Sequence, residues 1–380
     1  MEHSYAPVTA GPGNALTLRA AALLRSARHC VDAATAESEG WRGTPAFTVV
    51  RSGDRNTVLR ARVPNGGHAG TSLVFKLPVG DAERADADLR CMLALTGTGV
   101  VPDVVAELSD ARGFAMQDAG DCTLEWALAR GGDRGVRAAV AAMARAYARL
   151  HVAGRSQARY HEGLRSAART RELGDWTDGL PRAFAWLHLA DGDARVRRAL
   201  TRIVAAWYAD RDTLTLTHGD PAPGNVLLVG ASGEARLVDF EYGAVRHPAY
   251  DLTAWDVLCP LPNDLVQHLR HAYVSERARL GWPVPAAHVG YEAILAYRAL
   301  AMLAWFPPAA RERDGDWVAP WTVRQAVLST LDRLGERGAD DPHLRGLAEA
   351  ALTAAAHWRR EWPEIVDVLP RWSSLRNAVA

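Results

Sequence analysis

The chain has 380 residues, 48% of them hydrophobic and 23% charged, with 44 basic and 44 acidic residues and no net charge. That balance fits an ordinary globular protein of two or three structural units, and it excludes wholesale disorder and the basic excess of a general nucleic-acid or polybasic membrane binder. No apolar run reaches the roughly 18 residues of a membrane span. The best candidate, Ala293 to Phe306, is short and interrupted by Arg298.

The N-terminal residues MEHSYAPVTAGPGN carry neither a basic nor an apolar signal region. Cys30, Cys91, Cys122 and Cys259 lie far apart with no CxxC pair, so reduced thiols in the cytoplasm are the expectation.

In chain order, residues 15–33 repeat apolar side chains at helical spacing, with Asn14 as a potential N-cap. AFTVV (46–50), NTVLRARV (56–63) and TSLVFKL (71–77) are short, β-branched and divided by turn formers, which predicts strands. A helix is predicted over 81–96 with Leu89, Met92 and Leu93 on one face, followed by a hairpin from DVVAEL (103–108) and GFAMQD (113–118). Beyond Gly120 the pattern turns helical, with amphipathic segments over 123–130, 136–152 and 193–209; residues 155–178 are polar and carry no clear period. LTLTH (214–218), NVLLV (225–229) and ARLVDF (235–240) read as strands, and helices follow over 262–280, 291–306, 322–338 and 342–361. The order describes a small mixed sheet with one helix, then a large helical part holding a few inserted strands.

One residue stands out by its rarity. The 44 basic residues include a single lysine, Lys76, inside the apolar segment TSLVFKLPV. Composition leaves two readings of it: a site that needs a compact point charge on a flexible stem rather than the wide planar fork of Arg, or a chance survivor whose stem snorkels from a strand end.

The strongest chemical pattern is LTHGDPAPGNVLLVGASGEARLVDFEYG. Asp220 and Asn225 are five residues apart, and Asp239 ends the next apolar hairpin. Transfer of a phosphoryl group needs a carboxylate to orient and deprotonate the incoming hydroxyl, and oxygen ligands that hold Mg²⁺ against the phosphates. Each of these residues alone is a common turn former. Together, with the solitary strand lysine upstream, they point to that chemistry.

HGDPAPGN resembles the catalytic loop of the aminoglycoside phosphotransferase and choline kinase families, which share the protein kinase-like fold. LVDFEYG resembles their metal-binding segment, and PAYDLTAWD the helix start after it. Upstream, VVRSGDRNTVLRARV is similar to the strand–loop–strand over the nucleotide, TSLVFKLP to the lysine strand, and FAMQDAGD to the hinge; the pattern extends over about 46–306 in the family's order.

The resemblance implies an α+β fold of two lobes: a small N-terminal antiparallel β-sheet lobe with one helix, and a large mainly α-helical C-terminal lobe. The implied boundaries are an N-terminal helical extension over 1–45, a nucleotide-binding lobe over 46–119, and a helical lobe with the catalytic loop and acceptor site over 120–380.

It implies Asp220 as catalytic base, Asn225 and Asp239 as Mg²⁺ ligands, and Lys76 on the α/β-phosphates of ATP, with GTP an alternative. Gly53 and Asn56 would lie over the triphosphate, and Gln117 and Ala119 would offer backbone hydrogen bonds to adenine. His218 and Asp251 would brace the catalytic loop. The family pairs its lysine with a glutamate on the next helix; here DAERADADLRCMLAL offers Asp86, Asp88 or Glu83, and spacing does not choose among them.

The expected activity is ATP- and Mg²⁺-dependent phosphorylation of a hydroxyl on a small molecule, of antibiotic type in resistance or biosynthesis. Alternatives are an amino-alcohol kinase of the choline type and a Ser/Thr peptide kinase. No nucleic-acid or membrane partner is expected. A non-catalytic pseudokinase would show degraded chemical residues, and Lys76, Asp220, Asn225 and Asp239 are all present.

From Asp251 onward there are sixteen acidic and fourteen basic residues, not the acid excess expected around a polycationic acceptor. DGD (314–316) and DD (340–341) read as capping or solvated groups. Nine of the 13 Trp follow residue 200, and Trp317 and Trp321 are the candidates to line an acceptor site.

Overall fold

Alternating β-branched residues after position 46 form antiparallel strands in the computed structural model, which describes residues 47–52, 56–62, 72–78, 82–108, 113–157, 162–190, 193–207, 213–230, 233–282, 290–317 and 321–365. The expected helix over 15–33 lies outside the described residues. The chain divides into two compact units. The described part of the first is 47–121 with Arg236–Tyr242, and the second comprises Cys122–Ala235 and the chain from Gly243 onward. A contiguous division near residue 120 therefore misses one short segment, the one that carries Asp239.

In the first unit, β1 (Phe47–Ser52), β2 (Asn56–Arg62), β3 (Ser72–Pro78), β4 (Val104–Leu108) and β5 (Gly113–Gln117) form a five-stranded antiparallel sheet in the order β1-β2-β3-β5-β4. Leu59, Ala61, Leu73, Phe75, Leu77, Leu108 and Ala115 pack into one core. Burying a side chain such as Phe75 contributes about 1.5–3 kcal/mol. Side chains alternate between faces, so Lys76 emerges on the face opposite Phe75 and Leu77, with Val58 and Phe114 as its cross-strand neighbours.

Helix α1 (Ala82–Leu95) buries Asp88, Cys91, Met92 and Leu95. The expected face of Leu89, Met92 and Leu93 is corrected by this arrangement: Met92 is buried, but Leu93 is 40% exposed. The helix is rotated so that an acidic residue occupies the buried stripe one turn ahead of its apolar members. Asp88 can sit there because it has cationic and N–H partners.

The second unit is helical, with α2 (Leu124–Arg130), α3 (Asp133–Gln157), α4 (Glu162–Trp186), α5 (Ala194–Trp207), α6 (Ala249–Val257), α7 (Asn263–Arg279), α8 (Tyr291–Trp305), α9 (Val323–Gly338) and α10 (Arg345–Glu361). Short strands β6 (Thr215–Thr217), β7 (Val226–Val229), β8 (Glu234–Leu237) and β9 (Ala244–Arg246) form the two-stranded sheets β6–β9 and β7–β8.

Two elements escaped the sequence reading. Polar residues hide the period of α4, whose buried Trp176, Leu180, Ala183 and Phe184 follow i, i+4, i+7, i+8 spacing. β9 is only three residues long, too short to show an alternation.

Helix α8 is apolar on nearly every side, with Ala293, Ile294, Leu295, Ala296, Ala299, Leu300 and Leu303 all buried, so it forms the centre of the unit. Among the described residues no helix is long and apolar enough to cross a membrane.

Capping explains the two acidic clusters. Asp341 Oδ1 accepts the His343 N–H (2.8 Å) at the start of α10, and Asp314 Oδ1 accepts the Arg324 N–H (3.0 Å) at the start of α9.

Candidate functional site

In the first unit, Lys76 Nζ donates to Asp88 Oδ2 at 2.6 Å and pairs with Asp239 Oδ1. Asp88 is thereby the lysine's helix partner. Asp86 turns outward to Arg90, 2.7 Å away. The other Asp88 oxygen accepts the Phe240 N–H at 2.7 Å, so this one carboxylate fixes both the lysine and the segment that follows Asp239. Asp239 takes a left-handed backbone conformation (φ 72°), uncommon for a residue with a side chain but tolerated by Asp. Leu237 N–H donates to Val100 O (2.8 Å), and the Arg84 guanidinium lies 4.8 Å over the Tyr242 ring, securing the same segment at both ends.

Burial alone would favour a neutral Lys76. The carboxylates of Asp88 and Asp239 outweigh it and hold the ammonium above its ordinary pKa. Breaking such a buried pair from one side costs about 3–5 kcal/mol, because it strands the remaining charge.

Asn56 stands opposite Pro78, on the sheet face shared with Lys76. Gly53 lies outside the described residues. Gln117 ends β5, and its N–H donates to Asp103 O at 2.9 Å, so the backbone group it can offer a purine is its carbonyl. Ala119 sits in a turn closed by Gly120 N–H donating to Asp118 Oδ1 (2.9 Å).

Sequence reasoning missed Arg60. It binds Asp118 (Nε–Oδ2 2.7 Å) and Asp121 (Nη2–Oδ1 2.6 Å) and so clamps the segment after β5. Burial opposes the Asp118 charge, but the Gly120 N–H, Ser72 and Arg60 hold its carboxyl below the usual range. One arginine in a chain rich in them gave no sequence signal.

In the second unit, β6 delivers the loop His218–Gly219–Asp220. Gly219 adopts φ 86°, where a side chain would be strained. Asp251, fully buried at the start of α6, accepts the N–H groups of His218 (2.8 Å) and Gly219 (3.0 Å). It therefore braces the loop through the backbone. The His218 ring takes part as well, its Nδ1 accepting the Asp220 N–H at 3.3 Å. Asn225 Nδ2 donates to Asp220 O at 3.0 Å, which spends the amide nitrogen on the loop and leaves its oxygen as the atom to present outward.

A second buried layer supports Asp251. His151 Nε2 lies 3.0 Å from Asp251 Oδ2, and Nδ1 lies 2.8 Å from Tyr273 Oη, which accepts from Arg277 Nη1 at 3.2 Å. The Asp251 carboxylate can only accept, so Nε2–H donates to it, and in the neutral imidazole Nδ1 then accepts from the tyrosine hydroxyl. Burial lowers the His151 pKa in spite of the adjacent carboxylate and pushes Tyr273 up to about 12. Burial also opposes the Asp251 charge, yet His151 and the Gly219 N–H hold that carboxyl below its ordinary value.

Of the two tryptophans expected at an acceptor site, Trp321 is corrected: it is 2% exposed and belongs to the core. Trp317 is half-buried and packs edge-on to Phe306, with ring centroids 4.9 Å apart.

A five-stranded antiparallel sheet with one helix, and a second unit that is mainly helical, are the elements of the protein kinase-like fold. The model of the phosphotransferase enzyme family (APH) matches residues 46–288, and the chain belongs to that family. It is a phosphotransferase with an alcohol group as acceptor.

No sequence among curated proteins matches it. Among solved structures, it is similar to macrolide 2'-phosphotransferase MphH from Brachybacterium faecium (20% identity over 68% of this chain and 84% of that one, TM-score 0.47). It is also similar to a choline/ethanolamine kinase family protein from Mesorhizobium loti (19% identity, 87% and 99% covered, TM-score 0.47). A third is the streptomycin–ATP–APH(2")-IIa ternary complex (14% identity, 73% and 89% covered, TM-score 0.46).

Proposed function

We propose that the protein transfers the γ-phosphoryl group of ATP, with Mg²⁺, to a hydroxyl of a small molecule of antibiotic type. The observation that carries the reading is the sole lysine of the chain, partly buried on the sheet and held by Asp88 and Asp239. A compact ammonium so fixed suits the α/β-phosphates.

Asn225, through its amide oxygen, and Asp239 offer the hard oxygen ligands that Mg²⁺ prefers, so the donor set fits that ion. When bound, the metal supplies charge neutralisation at the phosphates. Asn56 covers the triphosphate, and the Gln117 carbonyl and the Ala119 N–H meet adenine. Asp220 orients the acceptor hydroxyl and takes its proton as the hydroxyl oxygen bonds to the γ-phosphorus and the bond to the ADP oxygen breaks. The brace from Asp251 keeps Asp220 in place before the acceptor arrives, so orientation costs little during the step.

The test is acceptor-stimulated nucleotide turnover with Mg²⁺. Asp220→Asn should lower kcat by about 10²–10⁴-fold while nucleotide binding persists. Full turnover in that variant would remove Asp220 from the role of base.

A further inference from the structure

Arg298, on α8, is buried in part and has no ion-pair partner among the described residues. Its Nε and Nη2 are both buried without a hydrogen-bond partner; every other arginine among the described residues leaves at most one such nitrogen. Its guanidinium lies 4.2 Å over the Tyr250 ring. Arg246 shares that ring at 4.5 Å but is committed, donating to Glu172 (Nε–Oε2 2.9 Å) and to Thr217 Oγ1 (3.0 Å).

Another donor in the same cluster is also unsatisfied. Trp176 Nε1 is buried without a partner, and its ring lies 5.2 Å from that of Tyr297, the neighbour of Arg298 in the chain.

This cluster belongs to the neighbourhood of the catalytic loop. Arg246, over the same Tyr250 ring, donates to Thr217 Oγ1, the residue just before His218–Gly219–Asp220, and Tyr250 precedes Asp251, whose carboxylate accepts the His218 and Gly219 N–H groups.

Leaving a buried donor unsatisfied costs about 1–3 kcal/mol, and more for a charged group. Here three donor-only nitrogens carry that cost together. A group with several acceptor oxygens relieves it for both guanidinium nitrogens at once, and an oxyanion matches an arginine fork with two parallel hydrogen bonds.

We infer that Arg298 binds an anionic group of the acceptor, so that the phosphorylated hydroxyl belongs to a molecule that also carries a carboxylate or a phosphate. The assignment rests on the kinase reading and narrows its substrate class. The near balance of acidic and basic residues from Asp251 onward, with no acid excess to hold a polycation, agrees with it.

The test uses the full chain and acceptors in matched pairs: glycerate against glyceramide, and glycerol phosphate against glycerol, with choline and kanamycin as cationic members. The anionic member of one pair should show at least a ten-fold higher kcat/KM, and which pair responds distinguishes carboxylate from phosphate. Arg298→Gln should raise the KM of the anionic acceptor at least ten-fold with the KM for ATP unchanged. Arg298→Lys, which keeps charge but loses the fork, should fall between.

Equal use of neutral and anionic members, or an unchanged anionic KM in Arg298→Gln, overturns the inference. Calorimetric titration of glycerate and glycerol phosphate, with a non-hydrolysable ATP analogue saturating the nucleotide site, separates the two readings. Analogue binding without any turnover, together with oxyanion binding lost in Arg298→Gln, supports the anion site and counts against the kinase assignment. Absence of oxyanion binding overturns the site even where turnover is seen.

Discussion

Asp88 is the residue on which the first unit's chemistry turns, since its two oxygens hold Lys76 and the Phe240 N–H. Asp88→Asn keeps the shape and removes the charge; the KM for ATP should rise at least ten-fold, and urea unfolding should show a loss of about 3–5 kcal/mol. An unchanged KM would mean that Asp239 alone positions the lysine. The sequence narrowed this partner to three acids without choosing, because Asp86, Asp88 and Glu83 all lie in the first half of one helix. The choice depends on helix rotation, which is set by packing of Cys91, Met92 and Leu95.

His151 gives a second test at this scale. Its folded pKa lies below the ordinary value of 6.5, so the unfolded chain binds its proton first as pH falls. The stabilisation is whole above about pH 6.5 and is lost progressively as pH drops from there through the folded value. Asp251, Tyr273 and Arg277 face this imidazole; the Asp251 carboxyl, held low, stays ionised across the window, and the Tyr273 hydroxyl, pushed up by burial, stays protonated. A Tm series from about pH 8 to about pH 5 should fall for the wild type and fall less steeply for His151→Gln. Parallel curves would show that another group carries the acid limb.

Among the elements, α3 and β6 support the His218–Gly219–Asp220 loop, and their close approach depends on a missing side chain. A Cβ placed on Gly154 would lie 2.6 Å from the Leu216 Cβ, so the helix rests directly on the strand that ends at the loop. Gly154→Val should cost about 1–3 kcal/mol by overpacking. It should lower kcat more than it raises the KM for ATP, since the strand leads to Asp220 rather than to the sheet that bears Lys76. Equal effects on both would point to general loosening.

Element order was largely legible because strand alternation, helix periodicity and turn formers agree along most of the chain. It failed where the physics leaves no local mark: in α4, whose buried stripe is diluted by polar residues, and in β9, which is three residues long. The loop motif was legible for the opposite reason. HGD-x4-N places its chemistry within one short stretch, whereas the Arg60 clamp joins positions 60, 118 and 121 across strands.

For the molecule as a whole, ligand binding should register as stability. Mg²⁺·ATP at a hundred times its Kd should stabilise the folded state by about 2.7 kcal/mol. Asp239→Ala should abolish that gain in thermal unfolding, and a gain of the same size in the variant would remove Asp239 from the nucleotide site.

The segment Arg236–Tyr242 belongs to the first unit although more than a hundred residues of the second precede it in the chain. No single cut in the gene can therefore release an intact sheet unit. A fragment ending near residue 121 would leave Asp88 without the Phe240 N–H and Lys76 without Asp239, whatever the quality of its own strands. Recombination that swapped front halves between relatives would have to match a lysine strand to a returning loop encoded far downstream. The two units thus inherit together, and the chain's folding order is tied: the sheet can be synthesised first, but its charged centre is complete only after Asp239 and Phe240 have been made.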